Sequence, residues 1–224
     1  MPQTNQRIYN PIVDLRTSFF PVQDQGPRPT CVAFATTACN EVHHKREKLS
    51  EEFLYRCCKI REKNELDGTY AHIALDNLNI HGQPSASFMP YEHSFLGSVL
   101  TTPIALSTFR NAKKFRITDW QQLKSSHVII EDELRRGVPV LAIVEVQQGF
   151  FEANKTYNFI DVPSTITFRQ SYHAIVIAGF GLDEQGVPYY LIRNSWGTGW
   201  GASGYAYMSY SYFDAFRAGT WSIC

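Results

Sequence analysis

A cysteine stands where a turn-rich loop meets a predicted helix. The loop contains Gly26, Pro27 and Pro29, which favour turns, and the residues after Cys31 are compatible with a helix. A thiol in the first turn of a helix lies at the positive end of the helix dipole, which favours its thiolate. Because the thiolate is the nucleophilic form, this position predicts an activated nucleophile. A buried cysteine that serves only packing is the alternative.

Two distant segments contain the partners that such a nucleophile needs. His173 begins a β-branched apolar run that predicts a strand, and Asn194 ends a second strand-like run. An imidazole can lower the pKa of a neighbouring thiol and can protonate a leaving amine. A carboxamide can orient that imidazole without adding a charge that would attract its proton. Together with Cys31, these residues predict nucleophilic attack on a carbonyl carbon.

The segments around these residues resemble those of the papain-like (clan CA, C1-type) cysteine peptidases. The loop and helix read Gln-Gly-Pro-x-x-x-Cys-x-Ala-Phe-Ala from Gln25, and the asparagine opens the run Asn-Ser-Trp-Gly-x-Gly-Trp-Gly from Asn194. A His-Ala-Ile-Val segment lies between them, and the spacing is the one known for the family. The resemblance extends from about Asp14 to about Tyr212.

The resemblance implies a role for each residue of a catalytic set. Cys31 would be the nucleophile, His173 its imidazolium partner and Asn194 the residue that orients the imidazole. Gln25 occupies the family's oxyanion-hole position, six residues before the nucleophile. Its amide and the backbone N–H of Cys31 would stabilise the oxyanion. Trp196 would shield the hydrogen bond between His173 and Asn194 from water.

Further positions of the resemblance lie along the expected substrate cleft. Gly68, Thr69 and Tyr70 occupy the segment that pairs with substrate backbone in the family, and Tyr172 and Ala174 flank the histidine. These five residues are therefore predicted to bind substrate. The family commonly has two successive glycines where this chain has Gly68 and Thr69, so an ordinary turn into a helix is the alternative for this segment.

The chain departs from the family pattern around the nucleophile. Val32 stands where the family usually has tryptophan, and Arg28-Pro29-Thr30 replaces the usual Cys-Gly-Ser. Neither change removes a proton-transfer group, so the chemistry is expected to be retained with an altered cleft wall. In secreted members of the family the cysteine at the position of Arg28 usually forms a disulfide, and its absence fits a reducing compartment.

The overall composition offers no electrostatic argument for a nucleic-acid or membrane partner. The 224 residues include 21 lysines and arginines and 21 aspartates and glutamates, and no run approaches the roughly 20 apolar residues of a membrane span. The N-terminal segment lacks the apolar region of a secretory signal. We therefore predict a cytoplasmic protein, with delivery elsewhere only by a non-classical route.

The five cysteines do not form the pattern of a disulfide framework, because their number is odd and two of them are adjacent. A zinc site from His43, His44, Cys57 and Cys58 is the metal-binding alternative. Neighbouring ligands point to different faces of a helix, so this spacing argues against zinc. We predict neither a metal nor another cofactor.

The order of the predicted elements indicates an α+β protein. The resemblance implies a papain-like two-lobe fold with the active-site cleft between the lobes. Residues 1–115 would form the helical lobe, with an N-terminal segment that crosses between lobes, and residues 116–224 an antiparallel, β-barrel-like lobe. The predicted elements are helices at 31–48, 51–61, 70–80 and 128–136, strand-like runs at 115–120 and 138–146, and a loop-rich insertion at 147–170.

The predicted activity is thiol-dependent hydrolysis of peptide or isopeptide bonds in a peptide or protein substrate, with narrow specificity. A thiol acyltransferase or amidase on the same scaffold is one alternative, because the catalytic residues do not choose the acceptor. A binding module without activity is another. The family's entry strand begins close to the first methionine and leaves no room for an inhibitory propeptide. An inhibitory or activating protein partner is therefore expected.

Overall fold

Helices dominate the part of the chain that follows the loop before Cys31 (residues 23–30, the nucleophile loop). The computed structural model describes residues 7–45, 47–94, 98–124, 126–155, 158–167 and 171–224. None of the helices in these residues is long and apolar enough to cross a lipid bilayer. The α-helices are α1 (Cys31–His44), α2 (Glu51–Glu62), α3 (Ala71–Ile80), α4 (Leu106–Ala112), α5 (His127–Arg135), α6 (Gln148–Phe151) and α7 (Tyr210–Phe216), and 3₁₀ turns lie at Arg16–Ser18, Lys113–Phe115 and Ala153–Lys155.

Helix α2 begins and ends close to where its sequence predicts. The Ser50 side chain accepts a hydrogen bond from the backbone N–H of Phe53 at 3.0 Å, and Glu51 and Glu52 occupy the first turn. Both features stabilise a helix N-terminus. Lys63 then adopts a left-handed conformation with φ 55°, so the helix ends at Glu62, one residue beyond its predicted end.

Helix α1 ends four residues before its predicted end. The prediction of a helix up to about Lys48 is wrong, because Lys45 adopts a left-handed conformation with φ 53° and its N–H bonds to the Glu41 carbonyl at 2.8 Å. The Glu41 carboxylate accepts hydrogen bonds from Lys48 Nζ at 3.0 Å and from the Leu49 N–H at 2.9 Å. These contacts fold the connection back onto the helix.

The strands of the described part of the chain are β1 (Tyr9–Asp14), β2 (Trp120–Gln122), β3 (Val140–Glu145), β4 (Phe159–Ile160), β5 (Tyr172–Asp183), β6 (Pro188–Arg193), β7 (Tyr205–Ser209) and β8 (Arg217–Ile223). They form one eight-stranded sheet in the order β2-β8-β3-β5-β6-β7-β4, with β1 added beside β5. Neighbouring strands among them are antiparallel, apart from β4 and β7, which are parallel. The N-terminal segment thus joins the sheet through β1, while the division at residue 115 stays a prediction.

Two further predicted elements differ from the observed ones. The strand-like run at 115–120 is wrong over most of its length, because a 3₁₀ turn ends at Phe115 and β2 begins only at Trp120. The insertion at 147–170, predicted as loop-rich, contains α6 and β4 in its described part. The other predicted helices and the run at 138–146 agree with α3, α5 and β3 to within two residues at each end.

Helix α1 packs against strand β5, and this contact positions the site. One apolar core contains Val32, Ala35 and Cys39 of the helix together with Ala174 and Val176 of the strand. Burial of such surface is the dominant stabilising contribution to a fold. Because Val32 and Ala174 lie near the first residues of their elements, the start of the helix and the start of the strand meet at one end of this core.

Candidate active site

Cys31 is the first residue of helix α1, and its side chain is partly exposed. Burial by itself would raise the pKa of this thiol. A hydrogen bond and the charge of His173, with backbone hydrogen bonds from Ala174 and Val32, outweigh burial and lower the pKa of Cys31 overall. The sulfur is therefore favoured as a thiolate in contact with His173.

His173 and Asn194 come from neighbouring antiparallel strands. His173 is the second residue of β5, and Asn194 directly follows β6. His173 Nε2 donates a hydrogen bond to Asn194 Oδ1 at 2.7 Å, and the Ser195 N–H donates to the same oxygen at 2.7 Å. Because a carbonyl oxygen only accepts, Nε2 carries a proton. The other ring nitrogen, Nδ1, is therefore left to exchange a proton with Cys31.

Gln25 is held by hydrogen bonds at both ends of its carboxamide. Its Oε1 accepts from Ser195 Oγ at 2.6 Å, and its Nε2 donates to the Arg28 carbonyl at 2.9 Å. The backbone N–H of Gln25 also donates to the Ser195 carbonyl at 2.8 Å. An amide nitrogen carries two hydrogens, so a second one is left to bind an oxyanion.

Aromatic rings cover the His173 imidazole. The Trp196 ring centroid lies 4.7 Å from that of His173, where the sequence predicts a shielding residue. Phe150 of α6 contacts both rings, with centroids 5.7 Å from His173 and 5.4 Å from Trp196. Such cover strengthens the hydrogen bond between His173 and Asn194 by excluding water. Sequence analysis missed Phe150, because it lies in the insertion and belongs to no motif.

A cavity of about 530 Å³ opens beside Cys31 and His173, a volume typical of small-ligand sites. Tyr70 and Tyr172 are exposed at its edge, and Gly68 has φ 78°, a left-handed conformation that favours glycine. The cavity is lined by all five residues predicted to bind substrate, namely Gly68, Thr69, Tyr70, Tyr172 and Ala174. The remaining predicted residues are not among those that line it; these are Gln25, Asn194 and Trp196.

Most other residues that line the cavity carry no sequence signal. Ile143 of β3 and Trp221 of β8 reach it from the sheet, whereas Val32, at the start of α1, is the one further lining residue that the sequence already places in the cleft wall. Lys59 and Glu62 of α2 add a pair of opposite charges, 2.6 Å apart. These residues meet only because the strands pair and α2 packs near the cavity, which one sequence without coordinates does not reveal.

The zinc alternative finds no support in the geometry of its residues. Cys57 and Cys58 are buried in different apolar clusters, and the His44 ring lies against Phe115. Among the described residues, no group of three or more histidine, cysteine, aspartate or glutamate side chains is arranged to hold a metal ion.

Comparison with known protein families shows that residues 10–216 match the papain family of cysteine proteases. Cysteine proteinase 2 of Entamoeba histolytica is 25% identical over 84% of this chain and 59% of its own length. The thiol protease aleurain of Arabidopsis thaliana is 28% identical over 84% of this chain and 52% of its own length. The chain thus spans about half the length of the curated relatives that it matches.

Solved structures share the fold. Xylellain, a cysteine protease from Xylella fastidiosa, has a TM-score of 0.80 at 22% identity and matches 96% of this chain and 86% of its own. The bromelain protease from Ananas comosus has a TM-score of 0.73 at 21% identity, over 98% of this chain and 99% of its own. These likenesses confirm the predicted papain-like α+β fold, with a helical N-terminal part and an antiparallel sheet in the C-terminal part. Since the family match covers most of the sequence, the chain belongs to the papain family of cysteine proteases.

Proposed function

We propose that this chain hydrolyses peptide bonds as a thiol peptidase, through a thioester between the substrate and Cys31. The main observation is the contact with His173, which lowers the pKa of a partly exposed thiol. That thiol lies at the start of a helix and borders a cavity large enough for a substrate side chain. Membership of the papain family supports the same chemistry.

The first half of the proposed reaction acylates the enzyme. The Cys31 thiolate attacks the carbonyl carbon of the scissile bond, and an electron pair of the C=O bond moves onto oxygen. The Gln25 amide and the backbone N–H of Cys31 stabilise this oxyanion. As it collapses, the C–N bond breaks and the His173 imidazolium donates its proton to the leaving amine. A free amine and a thioester on Cys31 result.

The second half hydrolyses the thioester. Neutral His173 takes a proton from water, and the water oxygen attacks the thioester carbonyl carbon. Collapse of the second tetrahedral intermediate breaks the C–S bond and releases the acid product. The thiolate and the imidazolium are thereby restored. Asn194 holds the imidazole in one orientation through both halves, because its Oδ1 accepts from Nε2.

The proposal includes narrow specificity for a substrate with an apolar side chain near the scissile bond. Ile143, Tyr172 and Trp221 line the cavity with largely apolar surface. An apolar pocket discriminates between side chains by about 1–3 kcal/mol per methylene group. Val32 further changes the wall where the family usually has an indole, because its side chain covers less surface.

A peptide library with and without an added amine tests the proposal. We expect wild-type protein to produce new peptide carboxylates, detected by mass spectrometry, and the Cys31→Ala variant to produce none. Products capped by the amine in place of carboxylates would overturn hydrolysis in favour of acyl transfer. Peptide binding by wild-type protein without any product would overturn it in favour of a binding module.

Replacing Asn194 with alanine is expected to lower kcat by about 10- to 100-fold and to leave measurable activity. The change removes the acceptor for His173 Nε2 and leaves both groups that transfer the proton. Initial-rate kinetics of peptide cleavage would measure the loss. The control is Asn79→Ala, which removes a side-chain amide away from the site. The Asn79 amide donates to the backbone carbonyls of Ile117 and Thr118. Equal kcat values for the Asn194→Ala variant and wild-type protein would contradict the orienting role.

A further inference from the structure

Arg28, in the nucleophile loop, forms a buried ion pair with Glu52. Arg28 Nη1 lies 2.5 Å from Glu52 Oε2 and Nη2 lies 3.2 Å from Oε1, so the guanidinium binds both carboxylate oxygens. The two side chains are only 12% and 1% exposed. Nη1 also donates to the Glu92 carbonyl at 2.5 Å. A two-point ion pair of this kind fixes the loop to the first turn of helix α2.

Tyr91 holds the same loop from a second side. The Arg28 guanidinium carbon lies 4.9 Å from the centre of the Tyr91 ring, within the range of a cation–π contact. The Tyr91 hydroxyl donates to the Gln25 carbonyl at 2.7 Å. The same hydroxyl lies 2.8 Å from Thr30 Oγ1. The loop residues on both sides of Arg28 are therefore held by one aromatic side chain.

The Arg28 backbone contacts the residue proposed to bind the oxyanion. Its carbonyl accepts from Gln25 Nε2 at 2.9 Å, so the position of Arg28 sets the orientation of that amide. The side chain of the same residue forms the ion pair with the buried Glu52 carboxylate.

We infer that the Arg28–Glu52 ion pair positions the Gln25 amide for oxyanion binding. Arg28 and Glu52 are positioning residues, since they act through the loop and not on the substrate. The inference rests on the proposed peptidase function. In this arrangement the ion pair fixes the loop that bears the oxyanion-binding amide.

Loss of the pair should affect hydrolysis and spare the thiolate. The groups that favour the Cys31 thiolate are His173 and Ala174 at the start of β5 and Val32 at the start of α1, whereas the ion pair joins the loop to α2. Alkylation of a thiolate by iodoacetamide forms no oxyanion. Peptide hydrolysis forms one in each half of the reaction. A displaced Gln25 amide therefore slows hydrolysis alone.

The variants Arg28→Met and Glu52→Gln test the inference by two measurements on each protein. We expect kcat for peptide hydrolysis to fall by about 10- to 100-fold, less than the 10²- to 10³-fold loss that follows complete removal of one oxyanion donor. The rate of Cys31 alkylation by iodoacetamide, and its dependence on pH, should stay within about twofold of wild type. The double variant should be no slower than Arg28→Met alone, because both changes break one contact.

A matched control comes from a second arginine paired with a buried carboxylate. Arg7 lies 3.0 Å from Asp183, with side chains 25% and 0% exposed, and it also lies over an aromatic ring, that of Phe159. Arg7→Met should cost stability in the same way as Arg28→Met and leave both rates unchanged. If Arg28→Met does not fold, Arg28→Lys keeps the charge, loses the two-point geometry, and carries the test with Glu52→Gln.

The possible results separate this inference from the proposed function. Hydrolysis at the wild-type rate in Arg28→Met and Glu52→Gln would overturn the positioning role alone. A parallel fall of hydrolysis and alkylation would also overturn it, because it would show a general loss of structure. If wild-type protein cleaves no peptide, both the proposed function and the positioning role are overturned.

Discussion

Replacing His173 with alanine is expected to lower peptide hydrolysis by about 10⁴- to 10⁶-fold, as for members of other catalytic sets. The change removes the proton donor for the leaving amine and the group that favours the Cys31 thiolate. Because burial raises the pKa of Cys31 and His173 is the main group that lowers it, the pKa should rise in the variant. An acid with a lowered pKa stays ionised to lower pH, so wild-type protein should keep its thiolate to lower pH than the variant.

Alkylation by iodoacetamide from about pH 5 to about pH 10 measures this shift independently of hydrolysis. The wild-type rate should persist to lower pH than the His173→Ala rate, because His173 lowers the pKa of Cys31. His127→Ala is the control, since His127 is hydrogen-bonded to Tyr190 and Asp214 and belongs to no part of the proposed site. Superimposable pH profiles for wild-type and His173→Ala proteins would show that the imidazole does not activate the thiol.

The catalytic candidates could be predicted because their motifs resemble those of a known family, and local sequence also marks the element boundaries near Cys31, His173 and Asn194. Gly26, Pro27 and Pro29 punctuate the loop before α1, and β-branched runs mark the strands that bear the histidine and the asparagine. Turn residues and such runs act over a few positions, so they can be read without coordinates. The two strand ends meet because β5 and β6 pair in antiparallel register.

The contacts that surround the catalytic candidates depend on tertiary packing and could not be predicted. Phe150 reaches the His173 ring from an insertion without a motif, and Trp221 reaches the cavity from the last strand. The early end of α1 has a similar cause. Lys45 adopts a left-handed conformation that its residue type does not favour, while the Glu41 side chain binds the returning chain.

The segment at residues 68–70, which lines the cavity, is held by a buried lysine that sequence analysis also missed. Lys59 Nζ donates to Glu62 Oε2 at 2.6 Å, to Asn64 Oδ1 at 2.9 Å and to the Gly68 carbonyl at 3.0 Å. The other Glu62 oxygen accepts from Thr69 Oγ1 at 2.6 Å. The threonine that replaces a family glycine thus turns its hydroxyl toward α2. One ion pair links the last turn of that helix to the two cleft residues.

Replacing Lys59 with methionine is therefore expected to lower the free energy of unfolding by about 3–5 kcal/mol, because it leaves the Glu62 charge buried and uncompensated. The Lys59 and Glu62 side chains are only 2% and 7% exposed. Denaturant unfolding measures the loss. Arg61→Met is the control in the same helix, since its partner Asp76 is 2.7 Å away and the two side chains are 39% and 32% exposed. Breaking that exposed pair should cost at most about 1 kcal/mol.

The double variant of Lys59→Met and Glu62→Gln separates a buried charge from lost packing. Removal of both charges should recover much of the stability that Lys59→Met loses, because a neutral amide costs less to bury than an unpaired carboxylate. We also expect the KM for peptides to rise in both Lys59→Met and the double variant, because both lack the hydrogen bond from Lys59 to the carbonyl of Gly68, which lines the cavity. Equal losses of unfolding free energy in the Lys59→Met and Arg61→Met proteins would contradict the burial of the Lys59–Glu62 pair. A KM at the wild-type value would contradict its link to the cleft.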